Sequence, residues 1–284
     1  IMLRIAIQSK GRLYEESMAL LEEAGIKIPG GKRTLLVPAR NFPVEVLFLR
    51  DDDIPESVAS GVADVGIVGL NEVMEKRCPV GILKKLGFGK CRLSLAIPQD
   101  IDYQDRNWFS GKKIATSYPG ILSDYLHKNG IVSDIHVITG SVEIAPGIRL
   151  ADAIFDIVSS GSTLVSNRLK EVETVVESEA VLIGTDSISP EKRGILDELL
   201  FRFDSVQAAD DKKYILMNVP QKKLNDVLSV LPGIKSPTVM PLADKEWCSV
   251  HTVLDEKCFW EIINRLKMAG AEGILVLDIE KMIL

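Results

Sequence analysis

The chain has 284 residues, of which 46% are hydrophobic and 26% charged, and its formal net charge is −6 at pH 7. This length predicts two or three compact units. No apolar run approaches the roughly 18 residues of a membrane-spanning helix, and the acidic balance argues against a general nucleic-acid binder. The first apolar run, residues 3–7, is too short for the core of a signal peptide, so a cytoplasmic location is expected.

The first part of the chain alternates between strand and helix patterns. Apolar runs and helical spacings predict, in chain order, strand 3–7, helix 14–24, strands 34–38 and 44–49, helix 55–60, strand 62–68 and a helix through residue 77. Such alternation predicts an α/β fold with a largely parallel sheet, which binds its ligands at the carboxyl ends of the strands.

A second block repeats the scheme. It predicts strands at 92–97, 113–115, 135–138 and 150–158, with a helix at 121–129. The run G-V-A-D-V-G-I-V-G at 61–69 is similar to the L-A-D-A-I-F-D-I-V-S-S-G run that ends at Gly161, and each precedes a predicted helix. This short repeat suggests two similar α/β lobes with a substrate cleft between them.

The last 75 or so residues have a different pattern. They predict strand 214–219, helix 221–231, strands 238–242 and 248–254, helix 258–269 and strand 273–279. This βαββαβ order is that of a ferredoxin-like domain, which would be an independent small unit. The charged run Asp210 to Lys213 before it is compatible with a linker or with a solvated surface segment.

The most informative segment for chemistry is Asp156 to Thr163, where an acidic residue on a buried strand precedes a loop of small hydroxyl residues and Gly161. Backbone N–H groups and hydroxyls of such a loop can surround a phosphate at the start of a helix. Asp152 and Asp156 could approach ribose hydroxyls or a bound Mg²⁺, which prefers carboxylate oxygen. An ordinary N-capped helix after a core strand explains the same residues, and spacing alone favours neither interpretation.

Two basic segments follow predicted strands. Lys10-Gly11-Arg12 offers two cations at the carboxyl end of the first strand, where α/β proteins bind ligands. Arg50, which precedes three aspartates, fits either a salt-bridged helix start or a site for a Mg²⁺-bound nucleotide. The chain has neither a P-loop motif nor a G-x-S-x-G motif, so the P-loop and serine-hydrolase interpretations lose their main support.

Eight ordered blocks, taken together, are more specific than any single motif. They are I-Q-S-K-G-R-L at 7–13, L-R-D-D-D-I-P at 49–55, D-V-G-I-V-G at 64–69, C-R-L-S-L-A at 91–96, I-A-T-S-Y-P at 114–119, G-S-V-E-I-A-P at 140–146, L-A-D-A-I-F-D-I-V-S-S-G-S-T-L at 150–164, and S-P-T-V at 236–239 with G-A-x-x-I-L-V at 270–276. Through these blocks the chain resembles the long form of ATP phosphoribosyltransferase over nearly its whole length.

The resemblance implies an architecture and a set of partners. It implies two lobes related to periplasmic solute-binding proteins, plus a C-terminal ferredoxin-like (ACT-like) domain that binds L-histidine as a feedback inhibitor. The expected boundaries are residues 1–90 with 185–210 for lobe I, 91–184 for lobe II and 211–284 for the regulatory domain. It further implies the substrates ATP and phosphoribosyl pyrophosphate, the cofactor Mg²⁺, and a homo-oligomer that shifts between dimer and hexamer.

The resemblance also implies roles for individual residues. It places the phosphoribosyl-binding loop on Ser159, Ser160, Gly161, Ser162 and Thr163, with Glu143, Asp152 and Asp156 as the catalytic carboxylates. Asp152 and Asp156 are the expected Mg²⁺ ligands. The expected ATP contacts are Lys10, Arg12, Arg50, Thr116, Ser117 and Tyr118. The expected histidine contacts are Ile234, Thr238 and Gly273.

The implied reaction is attack of adenine N1 of ATP on the anomeric carbon of phosphoribosyl pyrophosphate, the first step of histidine biosynthesis. An enzyme accelerates it by aligning the substrates and by placing negative charge beside the ribose and positive charge beside the leaving pyrophosphate. The sequence does not identify a general base. The rivals are a non-catalytic solute-binding protein with the same lobes and a phosphoribosyltransferase for another base.

Overall fold

The computed structural model describes residues 1–30, 34–232 and 237–284. The chain forms two compact units, residues 1–198 and 199–284. The division lies inside one long helix, twelve residues before the predicted boundary at 210/211. The last turns of that helix belong with the C-terminal unit because the Ser205 carbonyl accepts a hydrogen bond from the backbone N–H of Met282. Within the described residues, no helix is long and apolar enough to cross a membrane.

The elements alternate along most of the chain. In the first unit they are β1 (Leu3–Gln8), α1 (Arg12–Glu23), β2 (Leu36–Pro38), β3 (Val44–Leu49), α2 (Ile54–Ala59), β4 (Val65–Gly69), α3 (Leu70–Lys76), β5 (Gly81–Lys85), β6 (Cys91–Pro98), β7 (Lys113–Thr116), α4 (Pro119–Lys128), β8 (Asp134–Val137), β9 (Ala153–Val158), α5 (Ser162–Ser166), β10 (Leu169–Ser178) and β11 (Ala180–Gly184). Next come α6 (Pro190–Ala209), β12 (Lys212–Pro220), α7 (Leu224–Val230), β13 (Thr238–Pro241), β14 (Trp247–Asp255), α8 (Glu256–Ala269) and β15 (Glu272–Asp278).

The first sheet has the strand order β2-β3-β1-β4-β11-β5. Its strand β1 is parallel to β3 and β4, whereas β11 is antiparallel to both of its neighbours. The expectation of a largely parallel sheet is therefore wrong, because the chain returns from the second lobe and inserts β11 in the opposite direction. This return starts at Ala180 and not near 185, so lobe II ends earlier than predicted.

The second sheet has the order β10-β6-β9-β7-β8. Here β7 runs parallel to β8 and β9, and β6 is antiparallel to both β9 and β10. Its central strands are rich in Val, Ile, Leu and Phe because both faces are covered, and Phe155, Leu93 and Leu95 are fully buried. The predicted pair of α/β lobes is confirmed.

The C-terminal unit is a four-stranded antiparallel sheet in the order β13-β14-β12-β15, with α7 and α8 on one face. Alternate residues of β12 point to the helices, so Ile215 and Met217 are fully buried while Tyr214 is exposed. The fully buried Leu266 and nearly buried Phe259 of α8 complete the core. This arrangement confirms the predicted βαββαβ domain.

Candidate active site

The parallel strands β7 and β9 end at the same edge of the second sheet. Thr116 at the end of β7 is in register with Phe155, so the residues after each strand are neighbours. This edge therefore carries the predicted hydroxyl-rich loop, which follows β9, and the Ser117-Tyr118 turn, which follows β7. The arrangement is the usual ligand-binding edge of an open α/β sheet.

The loop after β9 has the features of an anion site. Gly161 has φ +82, a left-handed conformation that other residues adopt only with strain, and it starts α5. The Ser160 and Ser162 hydroxyls lie 3.0 Å apart, and Ser159 to Thr163 are exposed except for half-buried Gly161. In the described part of the chain, the backbone N–H groups of Ser160 and Gly161 have no protein acceptor. These free donors can bind an anion.

Two carboxylates lie beside this loop. Asp156 is on β9, two residues before its end, and burial, with a smaller contribution from the charge of Glu143, raises the pKa of Asp156 to about 6. Glu143 belongs to a short helical turn whose Val142 packs against Ile154 and Val158 of the β9 region. The structure thus brings Glu143 and Asp156 close enough for the charge of Glu143 to act on Asp156.

Asp152 does not join them. Its carboxylate accepts the backbone N–H of Lys113, at 2.8 Å, where β7 begins. Asp156 is four positions further along the extended chain, about 13 Å away. The expected role of Asp152 at the ribose is therefore corrected: this residue fixes the opposite end of the sheet.

The same separation corrects the expected metal site. Asp152 and Asp156 cannot bind one Mg²⁺, because its ligand distances are about 2.1 Å. Among the described residues, no group of three or more His, Cys, Asp or Glu side chains could hold a metal ion. The residues present do not fit a Mg²⁺ held by the protein at these two aspartates.

The basic residues predicted for the nucleotide follow two neighbouring strands. The carboxyl ends of β1 and β3 are adjacent, and the N–H of Ser9 donates to the Leu49 carbonyl at 2.7 Å. Arg12 and Arg50 follow these ends. Each guanidinium is exposed and paired to a carboxylate of its own segment, Arg12 to Glu16 at 3.3 Å and Arg50 to Asp52 at 3.1 Å. Lys10 is also exposed. Exposed pairs contribute little stability, so these cations can exchange a carboxylate for a phosphate at low cost.

The predicted contacts after β7 are only partly available to a ligand. Thr116 is fully buried, and its hydroxyl accepts the backbone N–H of Tyr118 at 2.8 Å. The Ser117 hydroxyl donates to the Ile138 carbonyl at 2.7 Å. Tyr118 is only 9% exposed. The expectation that these side chains bind ATP directly is corrected for Thr116, which no ligand can reach, and Tyr118 serves a different purpose.

Tyr118 connects the two lobes. Its hydroxyl donates to Glu72 Oε1 at 2.9 Å and accepts from Asn71 Nδ2 at 3.2 Å, and both partners are buried at the start of α3. Asn71 in turn exchanges two hydrogen bonds with Ser178, next to the chain's return to the first sheet. Burial raises the pKa of Glu72 and of Tyr118, and the charges of Asp51 and Asp156 further raise that of Tyr118. The hydroxyl is thus buried between residues of both lobes, near Asp51 after β3 and Asp156 on β9.

A second contact joins α3 to the start of α4, which Tyr118 precedes. Both oxygens of Glu75 accept backbone N–H groups at the start of α4, from Gly120 at 2.8 Å and Ile121 at 2.9 Å. A carboxylate there is favourable because the N-terminal N–H groups of a helix have no partner within the helix. Sequence analysis missed these interlobe residues. The available signal was the polar run Asn71-Glu72 directly after buried strand β4.

Of the residues predicted for histidine, the two that the structure describes, Thr238 and Gly273, do not meet within one chain. Ile234 lies outside the described residues. Thr238 is on edge strand β13 and Gly273 on β15, the opposite edge of the C-terminal sheet. Three inter-strand spacings, about 14 Å, separate these edges.

Comparison with known proteins covers the whole chain. Residues 50–205 match the family described as "HisG: ATP phosphoribosyltransferase", and residues 209–281 match "HisG, C-terminal domain". The chain is 70% identical over 283 residues to ATP phosphoribosyltransferase of Bacteroides fragilis, and both chains are covered completely. It is 58% identical to that of Cytophaga hutchinsonii, which covers 99% of this chain and 98% of the relative.

Solved structures agree with the fold. A chain of the ATP phosphoribosyl transferase (HisG:HisZ) complex from Thermotoga maritima superposes with a TM-score of 0.61 at 27% identity, covering 71% of this chain and 98% of that one. The substrate-binding protein of an amino acid ABC transporter gives 0.50 at 11% identity, covering 74% and 94%, which shows a shared fold alone. On these sequence matches, the chain belongs to the ATP phosphoribosyltransferase family, in its long form, whose reaction is the first step of histidine biosynthesis.

Proposed function

We propose that residues 159–163 bind the phosphate of phosphoribosyl pyrophosphate and that Glu143 and Asp156 face its ribose. The observation that carries this proposal is the loop itself, where unsatisfied N–H groups of Ser160 and Gly161 follow β9, the strand that carries Asp156, and burial together with the charge of Glu143 raises the pKa of Asp156. Donors bind the anionic phosphate, while the carboxylates stabilise positive charge that develops on the ribose during transfer.

ATP approaches from the first lobe in this proposal. Lys10, Arg12 and Arg50 lie at the carboxyl ends of β1 and β3, and their exposed positive charges can pair with the triphosphate. Tyr118 and Asn71 hold the lobes on either side of the cleft, so that the two substrates meet between the sheets. Mg²⁺ would be held by the oxygens of the pyrophosphate substrate in this proposal, and not by Asp152 and Asp156 together, which lie too far apart. A cytoplasmic location stays a prediction.

The loop assignment is tested by a matched pair of glycine variants. Gly161→Val and Gly130→Val both place a branched residue at positive φ, +82 and +67, with nothing closer than 3.9 Å to the added Cβ. Gly130 ends α4, at the opposite end of the sheet. We expect Gly161→Val to raise KM for phosphoribosyl pyrophosphate by at least about tenfold, or about 1.4 kcal/mol. Gly130→Val should leave KM unchanged. Equal KM values in the two variants would show that the loop does not bind phosphoribosyl pyrophosphate.

Histidine inhibition is the second part of the proposal. It is supported by the separate C-terminal unit, which matches the family described as "HisG, C-terminal domain". Because Thr238 and Gly273 lie on opposite sheet edges, one histidine contacts both only when they come from two copies of the chain, which fits a homo-oligomer of dimer and hexamer forms. Formation of phosphoribosyl-ATP, followed by ultraviolet absorbance with and without L-histidine, tests this. Undiminished turnover at saturating histidine would refute it.

A further inference from the structure

Arg92 and Glu171 form a bidentate ion pair next to the hydroxyl-rich loop. Arg92 Nε and Nη2 each donate to one oxygen of Glu171 at 2.6 Å. Arg92 is at the start of β6, where it is in register with Val158, the last residue of β9 before the loop. Bidentate guanidinium–carboxylate pairs fix both distance and orientation, so this pair is a rigid support.

The remaining donor of Arg92 reaches the loop. Its Nη1 donates to the backbone carbonyl of Ser159 at 3.1 Å. In a trans peptide the carbonyl and the following N–H point in opposite directions, so this bond directs the N–H of Ser160 away from Arg92. That N–H is one of the two unsatisfied donors of the proposed phosphate site. Arg92 thus sets the orientation of the Ser160 N–H through the Ser159 carbonyl, from the opposite side of the peptide.

Glu171 is itself fixed from several sides. Ser94 donates to its Oε1 at 2.6 Å and Thr174 at 3.2 Å. Hydrogen bonds from Arg92 hold the pKa of Glu171 down, to about 2. The carboxylate therefore stays charged over the whole pH range in which the enzyme can be assayed.

We propose that Arg92 and Glu171 are positioning residues for the phosphoribosyl pyrophosphate loop: the ion pair holds the Ser159 peptide so that the N–H of Ser160 faces the substrate phosphate. This inference rests on the proposed assignment of the loop. It predicts that loosening the pair weakens binding of phosphoribosyl pyrophosphate and leaves ATP binding unchanged, since the nucleotide residues follow strands of the other sheet.

The chain provides a matched control on the same strand. Glu173 of β10 is as buried as Glu171, with 22% and 24% of the side chain exposed, and it also accepts a short hydrogen bond, from Tyr103 at 2.6 Å, and pairs with an arginine, Arg106. Its partners lie away from the loop. Glu171→Gln and Glu173→Gln therefore remove equivalent charges, but only the first loosens the support of the Ser159 peptide.

The experiment measures KM for both substrates and kcat in Glu171→Gln, Glu173→Gln and Arg92→Lys. Lysine keeps the charge near Glu171 but cannot hold Glu171 and the Ser159 carbonyl together in the guanidinium geometry. We expect KM for phosphoribosyl pyrophosphate to rise about tenfold in Glu171→Gln and Arg92→Lys, about 1.4 kcal/mol, with KM for ATP unchanged. Glu173→Gln should match the unsubstituted chain.

Several outcomes would overturn the inference. One is an equal change in Glu171→Gln and Glu173→Gln, which would mean general destabilisation. Another is a rise in KM for ATP of the same size. Gly161→Val is measured alongside: if it alone raises KM, the loop assignment stands and the positioning role fails, and if it has no effect, both fail. If circular dichroism shows that Glu171→Gln does not fold, the KM for phosphoribosyl pyrophosphate of Arg92→Lys tests the inference: a rise supports it, and an unchanged value overturns it.

Discussion

Asp156→Asn should stabilise the protein while it removes activity. Burial, together with the charge of Glu143, raises the pKa of the Asp156 carboxyl from 3.8 to about 6. Each pKa unit corresponds to about 1.4 kcal/mol, so ionising this group in the folded chain costs about 3 kcal/mol more than in the unfolded chain. Because the residue is only partly buried, solvent screening reduces the expected gain to about 2 kcal/mol. Asparagine is neutral and has nearly the same shape.

The raised pKa of Asp156 predicts that the folded chain loses stability as the pH rises. A carboxyl whose pKa is raised by folding contributes no penalty below pH 3.8, where it is protonated in both states. The folded chain loses stability as the pH rises from about 4 to about 6, and the loss is constant above. The advantage of Asp156→Asn over the unsubstituted chain should therefore grow across this window and then level off.

Thermal unfolding from pH 4 to pH 8 measures this difference. About 2 kcal/mol raises Tm by roughly 4 to 8 °C for a unit of this size. Turnover in the same preparations should fall, because the variant lacks the charge that we propose to lie beside the ribose. A Tm difference that is the same at pH 4 and pH 8, or a variant less stable at pH 8, would refute the conclusion that burial raises the pKa of Asp156.

Two further predictions concern other parts of the molecule. Tyr118→Phe removes the hydroxyl shared by Asn71 and Glu72, and leaving these buried groups short of a partner should cost about 1 to 3 kcal/mol in urea unfolding; an unchanged midpoint would mean that the interlobe contact carries no energy. Phe259→Ala should lower the stability of the C-terminal unit by about 3 to 5 kcal/mol. Trp260→Ala should lower it by only about 1 kcal/mol, because Trp260 is 66% exposed and loses mainly its edge contact with the Phe259 ring; similar losses in calorimetry would contradict the core assignment.

Several features of the fold followed from local patterns. The continuous apolar run at Val65 to Val68 and the helical spacing in Arg12 to Glu23 predicted their elements within two or three residues. The order of the last elements predicted the ferredoxin-like domain, because the two periods of hydrophobicity are local properties of the chain. Strand direction is not local. The antiparallel insertion of β11, which moved the lobe boundary to 180, depends on where the chain returns after β10.

The predictions for the candidate site show the same difference between local patterns and long-range contacts. The sequence by itself determined the hydroxyl loop at 159–163 and its neighbour Asp156, since Asp156 lies on one buried strand, the loop follows that strand, and neither needs a distant partner. Only the tertiary structure decided that Asp152 lies at the other end of that strand. It also paired Arg92 with Glu171 and joined Tyr118 to Asn71 across the lobes, contacts that span 47 to 79 positions. Such contacts depend on which strands become neighbours, and a sequence pattern with a period of two or of 3.6 residues carries no information about that.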